Sequence, residues 1–127
     1  MQTTLNNIII MTRGDSLTFK PNPDTLQEFI SYKLSGDDAI YFGLMDPRHP
    51  FEEALVRKVY TADDYESIED FMIELDPEDT LDLIPGKYYY AIKLHIDHIE
   101  FDEVTRTATE LDQVITLINK TKFILND

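Results

Sequence analysis

Residues 76–94 read DPEDTLDLIPGKYYYAIKL, and the reading of this stretch decides the fold. Asp76 is a helix-capping residue and Pro77 suits the first helical position, so a short helical turn is expected here. Pro85 and Gly86 are a strong turn signal. From Lys87 the apolar pattern changes to a period of two. Tyr88, Tyr90, Ile92 and Leu94 fall on one face, with Tyr89, Ala91, Lys93 and His95 on the other. A helical turn that passes through a tight corner into a central strand is a common way for a β-sandwich to cross between its sheets. A tyrosine just beyond the corner suits the tyrosine-corner role, with its ring in the core and its hydroxyl bonded to upstream backbone.

On either side of this stretch the chain reads as short strands with frequent turns. Residues 5–12 predict a first strand, Arg13 to Ser16 a turn and Leu17 to Phe19 a second strand, paired with the first as a hairpin. The tripeptide Arg13-Gly14-Asp15 also occurs in integrin ligands, but Gly-Asp is ordinary turn chemistry and is read as that. After Pro21 and Pro23, Asp24 could cap a helix over residues 25–30; a strand over Phe29 to Leu34 competes. Ala39 to Met45 predicts a strand with Ile40, Phe42 and Leu44 on one face. Gly43 within it marks a bulge or a close backbone approach. Residues 52–61 predict a strand that could begin as a helical turn. Ile68 to Leu75 predicts another, with Phe71, Ile73 and Leu75 inward. Residues 96–111 fit either a protruding hairpin or an irregular loop. Gln113 to Ile118 and Thr121 to Leu125 predict strands joined by a turn at Asn119-Lys120.

The 127 residues are the size of one domain, and no linker or internal repeat divides them. An apolar fraction of 43% is enough for a core and argues against disorder. Without cysteine, the chain has no disulfide, thiolate metal site or cysteine nucleophile, which fits a cytosolic origin. The N-terminal residues have no basic region ahead of a long apolar run, so no signal peptide is expected. A net charge of −14 argues against nucleic acid and anionic membrane as partners. Residues 63–82 hold ten acids and no lysine or arginine, and read as a solvated face with helix-start acids; a basic partner or a calcium site is the alternative, though no twelve-residue calcium-loop spacing is present.

The residues show no catalytic constellation. None of the four serines lies in a GxSxG elbow, and the four glycines are dispersed rather than arranged to cradle a phosphate. His95 and His98 are three apart, so in a strand they face opposite sides and read as surface histidines rather than metal ligands. No enzyme, cofactor or metal is predicted. The residues singled out are the structural corner: Asp76, Pro77, Asp79, Pro85, Gly86, Tyr88 and Tyr90.

Several segments together carry a resemblance. They are Leu17-Thr18-Phe19 after a Gly-Asp turn, residues 40–44 (IYFGL), residues 58–60 (KVY), residues 73–80 (IELDPEDT), residues 85–92 (PGKYYYAI) and the closing residues 122–127 (KFILND). The chain resembles the immunoglobulin-like structural domains of tailed bacteriophages and prophages, including the N-terminal domain of siphophage baseplate upper proteins. Pro77, Glu78, Asp79, Thr80, Pro85, Gly86, Tyr88, Tyr90, Ile92 and Phe123 match, and residues 96–111 are longer than the tight hairpin usual in that family. The resemblance implies an all-β, immunoglobulin-like β-sandwich of about seven to nine antiparallel strands, in one domain over residues 1–127. It implies a non-enzymatic tail or baseplate protein, assembled in the bacterial cytoplasm. Such a protein docks to other virion proteins and to copies of itself. A carbohydrate- or surface-binding sandwich of a bacterial cell is the alternative, and it predicts exposed aromatics on one face.

Overall fold

The structure, a computed structural model, describes residues 3–5, 7–21, 26, 29 and 31–127, with side chains from Asn7 onward. Eight strands are described: β1 (Thr3–Leu5), β2 (Ile8–Thr12), β3 (Leu17–Phe19), β4 (Ala39–Met45), β5 (Val56–Thr61), β6 (Ile73–Leu75), β7 (Gly86–Asp102) and β8 (Thr107–Asn126). Six form one sheet in the order β1-β2-β8-β7-β4-β5, and β3 and β6 form a second. The fold is an all-β sandwich in which a short helix, α1 (Pro77–Leu81), lies ahead of the Pro85–Gly86 corner.

The alternation read from the sequence governs burial. Tyr90, Ile92 and Leu94 are fully buried and Tyr88 nearly so. Ile40, Phe42 and Leu44 of β4 face the same layer, as do Phe71, Ile73 and Leu75 from the second sheet. Tyr90 sits between the sheets, 5.7 Å from Phe42 and edge-on to Phe19 at 6.3 Å. Its hydroxyl donates to the Asn7 carbonyl. Tyr60 links the sheets by hydrogen bonds: it lies on β5, accepts the Glu74 N–H of β6 at 3.1 Å, and packs with Tyr65 and Phe71. Burying these rings with their hydroxyls satisfied avoids the cost of an unpaired polar group.

Several expectations need correction. The single strand expected over residues 5–12 is divided between β1, which ends at Leu5, and β2, which begins at Ile8, and β2 and β3 form no hairpin. The turn after Thr12 carries the chain from one sheet to the other. There β3 pairs with β6, while β2 lies parallel to β8 in the register Ile9↔Phe123 to Thr12↔Asn126, so the sheet is mixed rather than antiparallel throughout as expected. This buries Ile9 and Met11 against one layer and Leu17 and Phe19 against the other, which a two-stranded hairpin could not do. The strand expected over Ile68–Leu75 begins as a 3-10 turn (Ile68–Asp70) and is paired as a strand only over Ile73–Leu75. Residues 51–53 likewise form a 3-10 turn before β5, the helical start that the sequence allowed here, so the strand expected from Glu52 begins at Val56.

A further correction is that Asn119-Lys120 makes no turn. β8 runs unbroken through it, and the pairing with β7 shifts there. Tyr90 meets Thr121, Ile92 meets Ile118 and Lys93 meets Thr116. The two surplus residues are absorbed as bulges, which is how a strand accommodates turn-prone residues when both flanks are held by a long partner. The helix expected over residues 25–30 falls largely outside the described residues, whereas the competing strand over Phe29 to Leu34 does not form: among the described residues there, Lys33 alone pairs, in an isolated bridge with Ser67. At Gly43 the close-approach reading holds: the Phe51 ring lies where a Cβ would stand, 2.7 Å away.

Candidate functional site

The corner residues lie together at one end of the sandwich. Asp79 reaches back to accept the Asp76 N–H at 2.7 Å, and its carboxylate pairs with Lys58 of β5 at 2.8 Å. Pro77 opens α1, and the buried Thr80 accepts the Gly14 N–H at 3.0 Å. This bond ties the helix to the Arg13-Gly14 turn, whose arginine pairs with Asp127 at 2.8 Å. Pro85 and Gly86 then lead into β7, where the Tyr88 hydroxyl donates to the carbonyl of Ile84. That is the geometry of a tyrosine corner. Burial pushes the Tyr88 and Tyr90 hydroxyls above their usual pKa. The corner holds structure together and presents no reactive group. Of the ten acids at 63–82, nine are exposed and Asp79 is half-buried by its pairing with Lys58.

The other end is different. β4 accompanies β7 only as far as Ala39↔His95, and β2 accompanies β8 only over residues 123–126. Between these limits, residues 96–113 continue as a two-stranded ribbon past the body. Its β7 half, residues 96–102, spans roughly 24 Å at the usual strand rise. The tip is an Asx-type turn. The Asp102 carboxylate accepts the Val104 N–H at 2.9 Å and the Thr105 N–H at 3.3 Å, and Arg106 takes the left-handed conformation at φ 55°. One face carries His95, Asp97, Ile99 and Phe101 opposite Val114, Asp112, Glu110 and Ala108. Ile99, Phe101, Val104 at the tip and Val114 are all more than 60% exposed. Exposed large apolar groups are thus concentrated on this projection.

The ribbon is anchored at its base by Asp38, which is fully buried. One carboxylate oxygen accepts the Tyr32 hydroxyl at 2.5 Å and the Ser35 N–H at 3.0 Å. The other accepts the Asp97 N–H at 2.6 Å and faces His98 Nδ1 at 2.9 Å. The Asp37 N–H returns to the Asp97 carbonyl at 2.9 Å. Gly36 permits this closure. It has φ +59°, and a Cβ there would lie 2.7 Å from the Cβ of His98. Burial pushes the Asp38 carboxyl up, but the hydrogen bonds from His98, Tyr32, Asp97 and Ser35 together hold it below the usual range. The bond to Asp38 raises the pKa of His98, against some desolvation, with the charges of Asp38 and Glu100 adding to it. Burial and the Asp38 carboxylate raise the Tyr32 hydroxyl.

The sequence reading took His98 for a surface residue, whereas its side chain is only 10% exposed. His95 faces the other way and pairs with Asp112 at 2.6 Å, so the expected divergence of the two imidazoles is what the structure shows. No sequence signal could have joined Asp38 to His98, sixty positions away. The Asp–His pair is not half of a catalytic triad. The second imidazole nitrogen faces Glu100 at 3.5 Å rather than a hydroxyl, and the Tyr32 hydroxyl bonds to the carboxylate instead. Among the described residues no group of three or more His, Asp or Glu is placed to hold a metal, and no helix is long and apolar enough to cross a membrane.

No family model matches the chain, and no match was found among curated proteins or solved structures.

Proposed function

We propose that this protein is a non-enzymatic structural module of a phage or prophage virion, of tail or baseplate type, which works by protein–protein docking. The observation that carries this reading is the ribbon at residues 96–113, which projects beyond the body with Ile99, Phe101 and Val104 in solvent and its base locked on Asp38. Supporting it are the sequence resemblance around Pro77–Thr80 and Pro85–Ile92 and the use of the corner residues for structure alone. In this reading the protein assembles in the bacterial cytoplasm with other virion proteins and with copies of itself. Nucleic acid and membrane are not its partners, given its charge of −14.

The test is to replace residues 97–111 by a two-residue Asn-Gly turn and follow both forms into tail particles by sedimentation. The intact protein is expected in the particle fraction and the shortened one in the soluble fraction. Absence of the intact chain from particles, with no tail genes beside its own, overturns the virion role.

One observation favours the second reading, a carbohydrate-binding module. A pocket of about 440 Å³ lies on the outer face of β4 and β5, with Tyr41 and Phe51 beside Glu52, Arg57 and Lys58. Aromatic faces next to charged groups suit a sugar ring. A clear hit on a glycan array that is lost in Tyr41→Ala would move the assignment there.

A further inference from the structure

We propose that the open edge of β8 between Thr107 and Thr116 accepts an added strand, and that its occupant is an extended, basic segment of another protein. The inference rests on the docking reading above and names the partner chemistry of that site.

The edge itself is the first observation. β7 occupies one side of β8, and on the other side β2 begins only at Phe123. Among the described residues, no strand covers 107–116 on that side. Proteins usually protect such edges with charged side chains, lysine above all, or with proline, a bulge or short length; here the charges are Glu110 and Asp112, which repel an acidic strand but not a basic one. Residues 107–116 (TATELDQVIT) contain no lysine, arginine or proline, and half are β-branched. The bulges of β8 lie beyond this segment, after Thr116. The sheet's outer strands are protected by comparison: β1 has three residues, and β5 has six, including Arg57 and Lys58. An open edge of this kind offers alternate N–H and C=O groups to an incoming strand, as in β-augmentation.

Charge then selects the occupant. Residues 96–113 hold Asp97, Glu100, Asp102, Glu103, Glu110 and Asp112 against Arg106 alone. On the outer face an added strand would run past Ala108, Glu110, Asp112 and Val114, beside the ribbon's own Phe101, Ile99, Asp97 and His95. His95 already engages Asp112, while Glu110 makes no ion pair among the described residues. The complementary strand reads apolar, basic, basic, apolar at every second position. A second copy fits poorly. Antiparallel two-fold pairing within residues 107–116 sets Glu110 or Asp112 against acids or neutral residues, and like charges directly opposite are destabilising. Lys120 and Lys122 of a copy reach Asp112 and Glu110 only in a register that runs through the bulges, where the ladder is broken.

The test titrates the intact protein with end-blocked synthetic peptides, Val-Thr-Lys-Thr-Lys-Thr-Val-Thr and the same sequence with glutamate for lysine. Fluorescence anisotropy reads affinity, and amide hydrogen exchange reads location. The basic peptide is expected to bind at least about tenfold more tightly than the acidic one and to weaken with salt. It should also slow exchange of alternate amides in 107–116. Ala108→Lys and Val114→Lys, both in the ribbon's solvent-facing row, should each reduce binding while leaving the thermal melt unchanged. Equal affinity for the two peptides, or protection outside 107–116, overturns the proposal. So does dimerisation of the free protein with protection at 107–122, which would make a second copy the occupant. If the peptides fail while the ribbon-shortened variant still leaves particles, strand addition falls and the docking reading stands.

Discussion

The two halves of the β7–β8 pair share one ladder of backbone hydrogen bonds and differ in almost everything else. In the proximal half, Tyr88 to Leu94 lies between β4 and β8 and over the second sheet, and every inward side chain is buried. In the distal half, residues 96–113, the ribbon has no strand on either flank among the described residues, and beyond the buried Ile96 at its base the apolar side chains of Ile99, Phe101 and Val104 are in water. Strand pairing alone therefore does not make a core. A two-stranded ribbon is marginal in isolation, and layers of side chains add the stability. The distal half is ordered through its base, where one buried carboxylate gathers four hydrogen bonds.

The largest effect that can sharpen this contrast is expected in the proximal half. Tyr90→Ala should lower unfolding stability by roughly 3–5 kcal/mol in urea melts, as for truncation of a buried aromatic. A cost below about 1 kcal/mol would mean that the ring does not hold the sheets together. Asp38→Ala comes next, at roughly 3 kcal/mol, because it strands buried donors and the His98 side chain. Its signature should be local as well, with faster hydrogen exchange over residues 96–101 than over 88–94. A uniform loss over both halves would remove the distinction between body and latch. Tyr88→Phe deletes only the corner hydrogen bond to Ile84 and should cost about 1 kcal/mol.

The base should also respond to pH, with a sign that follows from the shifts. The pKa of His98 is raised above its ordinary 6.5, so its contribution is complete below that value and is lost as pH climbs through the raised one. That of Asp38 is lowered from 3.8, so its contribution is present above that value and is lost as pH falls through the lowered one. The latch is tightest in mildly acid solution between the two. Protection of residues 96–101, corrected for intrinsic exchange, should fall as the pH climbs above 6.5, and His98→Gln should flatten that fall. An unchanged profile in the variant would show that another group sets it. The smallest effect belongs to the distal face. Phe101→Ser should alter stability by no more than about 0.5 kcal/mol, since its ring is 63% exposed, and should act on docking instead.

How legible each part was in the sequence follows from how far apart its interacting groups lie. The corner was readable because its chemistry is local: Asp79 and Asp76 are three positions apart, Tyr88 and Ile84 four. The inward row Tyr88, Tyr90, Ile92 and Leu94 was readable because side chains alternate along any strand. Even the ribbon was one of two readings for residues 96–111, since its turn is built by Asp102 on its own neighbours.

The pairings were not readable in this way. Leu17-Thr18-Phe19 alternates equally well in a hairpin with β2 or across the core on β6, and only the need to cover both layers selects the second. Asn119-Lys120 has the composition of a turn, yet long partners on β7 convert it to a bulge, because the ladder on both sides outweighs a local preference. Asp38 and His98 meet across sixty residues in a contact that no local pattern encodes. Local chemistry wrote the corner and the faces of the strands, whereas competition among distant partners for the same hydrogen bonds and the same buried area placed the strands in their sheets and built the base of the ribbon.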